Sequence, residues 1–527
     1  MRQRWPAHPF IVAAMPILAL MASNLGVVPL EQAYRPLLLS LLAALLLQLL
    51  FRRLLHDGDR AGIPSSTCLI LFFSYGHVHT VALALLLLLL QKGFGFNKGP
   101  VLAIWVHPFL IASCVGVLLL VLRGVRRRTT QLREITGLLN LVAALSLLYP
   151  VIRIVRHGFA LREEPSTPSQ ADVARLRSAS EVQSSPDIYY ILLDGYAAAD
   201  TLQEVYDIQN HDFLRFLAAQ GFYIASESRS NYAQTILSLA SSLNYDYLDS
   251  VLGGVQVDDV NALIPLLRNN GVRRRLAGEG YRFIAFSTGY GRTEVPDADI
   301  YLQPRIDSAG LLESLLIETT FLRAVESLSS VAGLRFPYPG FQAHRQRVLF
   351  ILDQLPTVAG IPGPKFVFAH ILMPHPPFVF GATGEEVDQR HSYQLGDGSD
   401  FRGTRQEYIE GYRNQVAYVN SRLVQIIPQI LAASSTDPMI VIQGDHGPGA
   451  GLDWDSPSAE GLSERFRILN AIRLPGSEPG LLYPDMSPVN TFRMILNQYF
   501  GSTLTLLPDR SYFSSPAKPL ELRPVQP

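Results

Sequence analysis

The chain has 527 residues, 48% of them hydrophobic and only 17% charged, with a formal net charge of -1. That length allows more than one domain, the shortage of charge points to a part that does not meet water, and the near-zero balance gives no reason to expect nucleic acid as a partner. Both cysteines, Cys68 and Cys114, lie in apolar runs, so the polar remainder has no disulfide, thiolate metal site or cysteine nucleophile.

Five apolar runs open the chain, at 9–30, 36–51, 64–91, 100–122 and 136–152. Each approaches the roughly 20 residues a helix needs to cross the hydrocarbon core. They define a five-helix transmembrane region, residues 1–155. The first run is long, lacks a small-x-small cleavage site and is followed by further spans, so it is not read as a removable signal peptide. Arg2, Arg4, Arg52, Arg53, Arg60, Arg123, Arg126, Arg127, Arg128 and Arg133 fall on one side, against only Arg35, Lys92 and Lys98 on the other. The basic side is expected to be cytoplasmic and to hold the N-terminus. An odd number of spans in the inner or plasma membrane then puts the rest of the chain outside it, in the periplasm or extracellular space. His77 and His79 sit within the third run. Residues two apart on a helix point about 200° apart. A shared metal is therefore disfavoured against inter-helix hydrogen bonding or a broken helix near the outer surface.

A polar stretch rich in Ser and Pro, "REEPSTPSQADVARLRSASEVQSSPD" (162–187), reads as a linker covering residues 156–186, with a short surface helix over 171–180. Beyond it, residues 187–527 alternate strands and helices. "DIYYILLD" (187–194), "YRFIAFST" (281–288), "PKFVFAHILMP" (364–374) and "PMIVIQGDHG" (438–447) are continuous apolar strands. Helical patterns such as 261–280 and 406–431 separate them, and 487–501 reads as a late amphipathic helix. This pattern predicts an α/β domain with a mostly parallel sheet covered by helices. Ligands in such sheets bind at the carboxyl ends of the strands. Asp194, His370 with His375, and Asp445 with His446 close these runs and would emerge on that edge.

Asp445 and His446 offer a carboxylate oxygen and an imidazole nitrogen, donors suited to zinc or manganese, and Asp194 can supply a third ligand. A metal held this way keeps an open position where a hydroxyl becomes a nucleophile. "SNYAQTILSLASSLN" (230–244) is rich in hydroxyls, and its helix is expected to start at Thr235. Thr235, at a helix N-terminus that favours anions, is the chosen nucleophile, with Ser230 the alternative. Ser238, Ser241 and Ser242 are expected to bond to carbonyls within the helix. Pro374, Pro376 and Pro377 would hold His375 rigidly, to bind a transferred anion or protonate a leaving group. His370 is either a second substrate-binding group or a core histidine. "FSTGYGR" (286–292) lacks the order of a phosphate loop and reads as a turn. "ERFRILNAIRLPG" (464–476) reads as a strand with Arg465 more readily at the surface than on an anion.

The motifs "YYILLDGY", "NYAQTILSL", "HPPF" and "GDHG", in this order over residues 186–500, resemble the sulfatase-like branch of the alkaline phosphatase superfamily. With five preceding spans the chain also resembles lipoteichoic acid synthases and lipid A phosphoethanolamine transferases. The resemblance implies one divalent metal, manganese or zinc, on Asp194, Thr235, Asp445 and His446, with Thr235 the nucleophile and the histidines near "HPPF" binding substrate. Neither C-x-P-x-R nor S-x-P-x-R is present, Asp194 is followed by Gly195 rather than a second aspartate, and "DHGPGAGLD" does not supply the Asp-x-x-x-His of a second zinc site after Asp445. Sulfate ester hydrolysis and a two-metal site are therefore disfavoured.

The expected activity is transfer of a phospho-head group from a membrane lipid donor to an envelope glycan or lipid acceptor, through a covalent threonine intermediate. The spans would hold the site close to lipid head groups. A membrane-anchored hydrolase of phosphate, phosphonate or sulfate esters is the alternative, and a non-enzymatic scaffold that keeps the fold is the third reading.

Overall fold

The computed structural model describes residues 6–25, 28, 30–94, 99–127, 132–163, 185–254, 259–304, 311–331, 339–389, 393–478 and 480–525. The chain divides into two compact units, Met1–Thr167 with Asp307–Gly340, and Pro168–Ile306 with Phe341–Pro527. The uninterrupted domain expected over 187–527 is thus broken by a segment that belongs to the first unit. The expected helix at 171–180 lies outside the described residues.

The first unit opens with α1 (His8–Ser23), α2 (Tyr34–Leu55), α3 (Gly58–Phe94), α4 (Gly99–Arg127), α5 (Leu132–Ser146) and α6 (Leu148–Glu163). Four stretches, Leu30–Leu55, Arg60–Leu86, Val106–Arg127 and Glu134–Arg156, are long and apolar enough to cross a membrane. The five crossings expected from sequence are not matched in full. The first run, taken to residue 30, forms a helix of only 16 residues that ends at Ser23, where Asn24 closes the last turn. The fifth is split at Leu147 into α5 and α6, and α6 carries helix to Glu163, into the stretch read as linker. Along α2, Leu38, Leu46 and Leu50 are more than half exposed, a stripe suited to an apolar medium. The third run is not broken, since α3 is continuous through both histidines. His77 is exposed, whereas His79 is buried and stacks on His107 of α4 with ring centroids 4.2 Å apart. Tyr75 Oη lies 2.9 Å from His107 Nδ1.

The second unit is built on a seven-stranded sheet. Its strands are β1 (Ile188–Leu193), β2 (Tyr223–Ile224), β3 (Arg282–Phe286), β4 (Ile300–Leu302), β5 (Lys365–Ile371), β6 (Met439–Gln443) and β7 (Asn470–Arg473). They lie in the order β2-β7-β6-β1-β5-β3-β4. The run from β6 to β4 is parallel, but β7 pairs antiparallel with β6 and β2 antiparallel with β7, so the sheet is mixed. The reason lies in the connection. Gln443 at the end of β6 pairs with Asn470 at the start of β7, so the intervening chain returns at the same edge without a crossover. The strand expected at 464–476 is accordingly only Asn470–Arg473, and its first residues end a helix, Ala459–Phe466, capped by Ser458. The helix expected over 261–280 is interrupted between Ile264–Arg268 and Gly271–Ala277, where Asn270 caps the second piece through its side chain. The long helix Arg405–Ala433 starts in a capping box made by Thr404 and Glu407. All six residues of β1 are buried, as a strand covered on both faces requires.

Candidate active site

Register brings the site together. Leu192 of β1 is level with His370 on β5 and with Gln443 on β6, so the residues just beyond these strands leave the sheet at one edge. Asp194 donates its backbone N–H to Ile371 O (3.0 Å), and Gly195 N donates to Asp445 Oδ1 (3.1 Å). Asp194, Asp445 and His446 are each about 98% buried or more, and one donor atom from each lies within 4.8 Å of the others. His446 Nδ1 faces Gly447 O at 3.0 Å, which fixes the proton there and turns the Nε2 lone pair toward the site. That Nε2 stands 3.6 Å from Asp194 Oδ1 and 3.3 Å from Asp445 Oδ2. Both carboxylate oxygens are buried without a hydrogen-bond partner, an expensive arrangement unless a cation lies between them. The oxygen and imidazole donors of this set could therefore hold a metal ion.

Thr235 opens the helix Thr235–Ser242, and its Oγ1 lies 3.0 Å from His446 Nε2. Every residue of this helix is buried, with Ile236, Leu237, Leu239 and Ala240 in the main core. Its hydroxyls are satisfied locally. Ser238 donates to Tyr232 O (3.0 Å), Ser241 to Asp246 O (2.7 Å) and Ser242 to Leu239 O (3.5 Å). Only the last of these lies within the helix, as expected for all three. The N-cap Gln234 gives its side chain to Ser514 instead of to the helix, so the first-turn N–H groups have no side-chain cap. Such an end is suited to an anion. Ser230, the alternative nucleophile, is buried, and it is Thr235 that lines the cleft at this edge.

The cleft, about 200 Å³, is lined among others by Asp194, Thr235, His375, Asp397, His446 and Arg465. His375 donates its backbone N–H to Asp194 O, and its Nε2 lies 3.7 Å from Asp397 Oδ2. Burial opposes charge on this imidazole, but Asp194 and Asp397 outweigh it and raise its pKa. His370 does not line the cleft. Its ring is fully buried, with Nε2 3.2 Å from Asp194 Oδ2 and Nδ1 3.0 Å from Thr293 Oγ1. Burial pushes the Asp194 carboxyl up, but His375, His370 and His446 together hold it well below the usual range. Burial and then Arg465 lower the His446 imidazole.

Arg465 is the main departure from the sequence reading. It is 2% exposed, not at the surface. Its Nε donates to Ala233 O (2.8 Å) and one terminal nitrogen to both Asp397 and Gly447 O. The other, Nη2, reaches within 3.2 Å of His446 Nε2. Its guanidinium lies 5.1 Å from the centroid of the Trp454 ring. Asp397 was missed altogether, because "QLGDGSD" carries no periodicity that sets it apart from a surface turn. Burial works to raise its carboxyl, yet Arg465 and His375 hold it down at about 2. Gly447 is forced by close approach: a Cβ there would stand 2.1 Å from Glu464 O.

No family model matches the chain, and no curated protein matches it. Solved structures do show likenesses. The C-terminal periplasmic domain of the phosphoethanolamine transferase EptC from Escherichia coli, in complex with zinc, is 12% identical, with 65% of this chain and 93% of that chain covered and a TM-score of 0.40. The integral membrane lipooligosaccharide phosphoethanolamine transferase EptA from Neisseria meningitidis is 12% identical, with 93% of each chain covered and a TM-score of 0.37. A phosphonate monoester hydrolase from Agrobacterium radiobacter is 14% identical, with 62% of this chain and 80% of that chain covered and a TM-score of 0.39.

Proposed function

We propose that this chain is a membrane phosphotransferase in which Thr235 takes a phospho-head group from a lipid donor and passes it to a glycan or lipid acceptor of the envelope. The observation that carries the reading is Thr235 at an uncapped helix N-terminus, its hydroxyl 3.0 Å from the His446 nitrogen that faces the two unpartnered carboxylate oxygens. Asp194, Thr235, Asp445 and His446 would hold one divalent ion, zinc or manganese. When bound, it lowers the pKa of a hydroxyl and offsets phosphoryl charge.

Thr235 Oγ1 forms its bond to phosphorus while the bond from phosphorus to the diacylglycerol oxygen breaks, and the hydroxyl proton leaves to solvent. His375, held toward its protonated form by Asp194 and Asp397, supplies a proton to that leaving oxygen. Arg465 Nη2 and the first-turn N–H groups of the Thr235 helix face the charge that gathers on the phosphoryl oxygens. An acceptor hydroxyl then displaces Thr235 in the reverse sense. The basic residues on one side of the spans support a cytoplasmic N-terminus and an extracytoplasmic α/β unit.

The test is reconstitution of the full chain in vesicles carrying a head-group-labelled phospholipid, with metal content measured on the same preparation. We expect one divalent ion per chain, absent from Asp445→Asn, and label release that rises when membrane acceptors are added. Release that ignores acceptors would identify a hydrolase, and neither metal nor release would remove the enzymatic reading.

A further inference from the structure

Residues 311–331 lie between β4 and the helix Pro339–Gln354 in the sequence, yet belong to the first unit. They form two helices, Leu311–Thr319 and Leu322–Val331, joined at Thr320 and Phe321. What they touch locates them. Leu312 is fully buried in a cluster with Ile17 and Met21 of α1, and its N–H faces Gln32 Oε1 at 3.3 Å. Glu313 pairs with Arg35, one residue into α2, at 3.7 Å. Phe321 N donates to Phe72 O of α3 (2.8 Å), and its ring meets Tyr75 edge-on at 5.0 Å. Ala324 is fully buried with Val106 and Leu110 of α4.

These contacts begin at one end of the bundle. Met21 is two residues from the end of α1, Arg35 is at the start of α2, and Val106 is in the second or third turn of α4. The approach is built in: a Cβ on Gly76 would stand 2.2 Å from Glu318 O, so only glycine lets the corner of the hairpin lie against α3. Contacts with Phe72 and Tyr75 fall inside the Arg60–Leu86 stretch of α3. Phe72 and Tyr75 lie near the middle of that stretch, so the hairpin packs on the bundle between the α1–α2 end and mid-span.

The outer face of the second helix is apolar. Val325 and Leu328, one turn apart, are 39% and 46% exposed, while Ala324 faces the bundle. A helix with an apolar face on a polar background is the form that lies in a bilayer interface, buried by roughly 5–10 Å. We infer that residues 311–331 are a membrane-seated hairpin whose Val325–Leu328 face rests on lipid acyl chains. The occupant is lipid because the helix packs through Ala324 on Val106 and Leu110 of α4, a crossing helix that itself exposes Val115 and Leu119. The consequence is a second attachment of the α/β unit's chain to the bilayer, besides the stretch that follows α6. It does not depend on the chemistry proposed for Thr235.

The experiment uses the full chain in vesicles, with Cys68→Ala and Cys114→Ala as background. A bimane fluorophore is placed on Val325→Cys, on Leu328→Cys, or on Glu521→Cys, an exposed control in the α/β unit. Lipids brominated high on their acyl chains are expected to quench bimane at 325 and 328, and aqueous iodide to leave both bright, with the reverse at 521. Iodide quenching at 325 and 328 would overturn the inference by placing the face in water. Shielding from both quenchers would overturn it too, since protein and not lipid would then cover the face.

Discussion

His370 shows how a buried residue outside the cleft can matter to it. Nε2 lies 3.2 Å from Asp194 Oδ2 and Nδ1 lies 3.0 Å from Thr293 Oγ1, so Thr293 holds the ring beside the carboxylate. Asp194 is left with Oδ1 for a cation. Partners of this kind change metal affinity by about 10–100-fold. His370→Ala is expected to weaken zinc binding within that range, Thr293→Val less, and His370→Gln to recover part of it, all read by metal titration independent of turnover. Asp397 gives a prediction in pH. Its carboxyl drops from an ordinary 3.8 to about 2. A depressed carboxyl contributes stability that is present above about pH 4 and lost as pH falls through about 2. Asp397→Asn, which leaves Arg465 buried and unpaired, is expected to cost about 3–5 kcal/mol at neutral pH. In acid unfolding, the gap to wild type should narrow between about pH 4 and pH 2; a constant gap would contradict the ion-pair account. Asp445 and His446 were legible because they end a strand that spacing alone identifies. Asp397 and Arg465 were not, since one sits in an irregular loop and the other at the end of a short helix, and only the fold turns them inward.

At the scale of elements, the apolar runs located four of the five parallel strands, β1, β3, β5 and β6, and the helix that begins at Thr235. They could not give the direction of β7, which depends on whether the chain crosses the sheet or returns at the same edge. Nor could periodicity show that Asn270 would restart a helix. Two elements hold the edge that carries Asp445 and His446 in place. Leu237 in the Thr235 helix is fully buried, so Leu237→Ala is expected to cost about 2–5 kcal/mol in thermal unfolding. Gly447 passes against Glu464 O, and Gly447→Ala should force the turn after β6 aside, at about 1–3 kcal/mol and with weaker metal binding. Unchanged metal affinity in Gly447→Ala would show that this contact does not set the position of Asp445 and His446.

For the whole molecule, composition and hydropathy separated a membrane region from an α/β region, but 311–331 escaped that division. Its docking partners lie some 210–300 positions earlier in the chain, beyond any local pattern. Topology now turns on α1. If its 16 residues cross with the four long stretches, the two chain ends lie on opposite faces; if it does not cross, they lie on the same face. The basic bias leads us to expect opposite faces, with an N-terminal tag protected from protease in sealed right-side-out vesicles and a C-terminal tag digested. Protection of both tags would contradict the extracytoplasmic assignment, and loss of both would contradict the cytoplasmic N-terminus.

The most direct measurement is peptide mass spectrometry on full-length protein taken from membranes and denatured rapidly, comparing wild type with Thr235→Ala. A phospho-head-group mass on the peptide containing Thr235, missing from the variant, is the expected result, and the mass identifies the donor. An adduct on Ser230, or an unmodified Thr235 in protein that holds its metal and turns over lipid, would contradict the assignment of Thr235 as the group that carries the transfer.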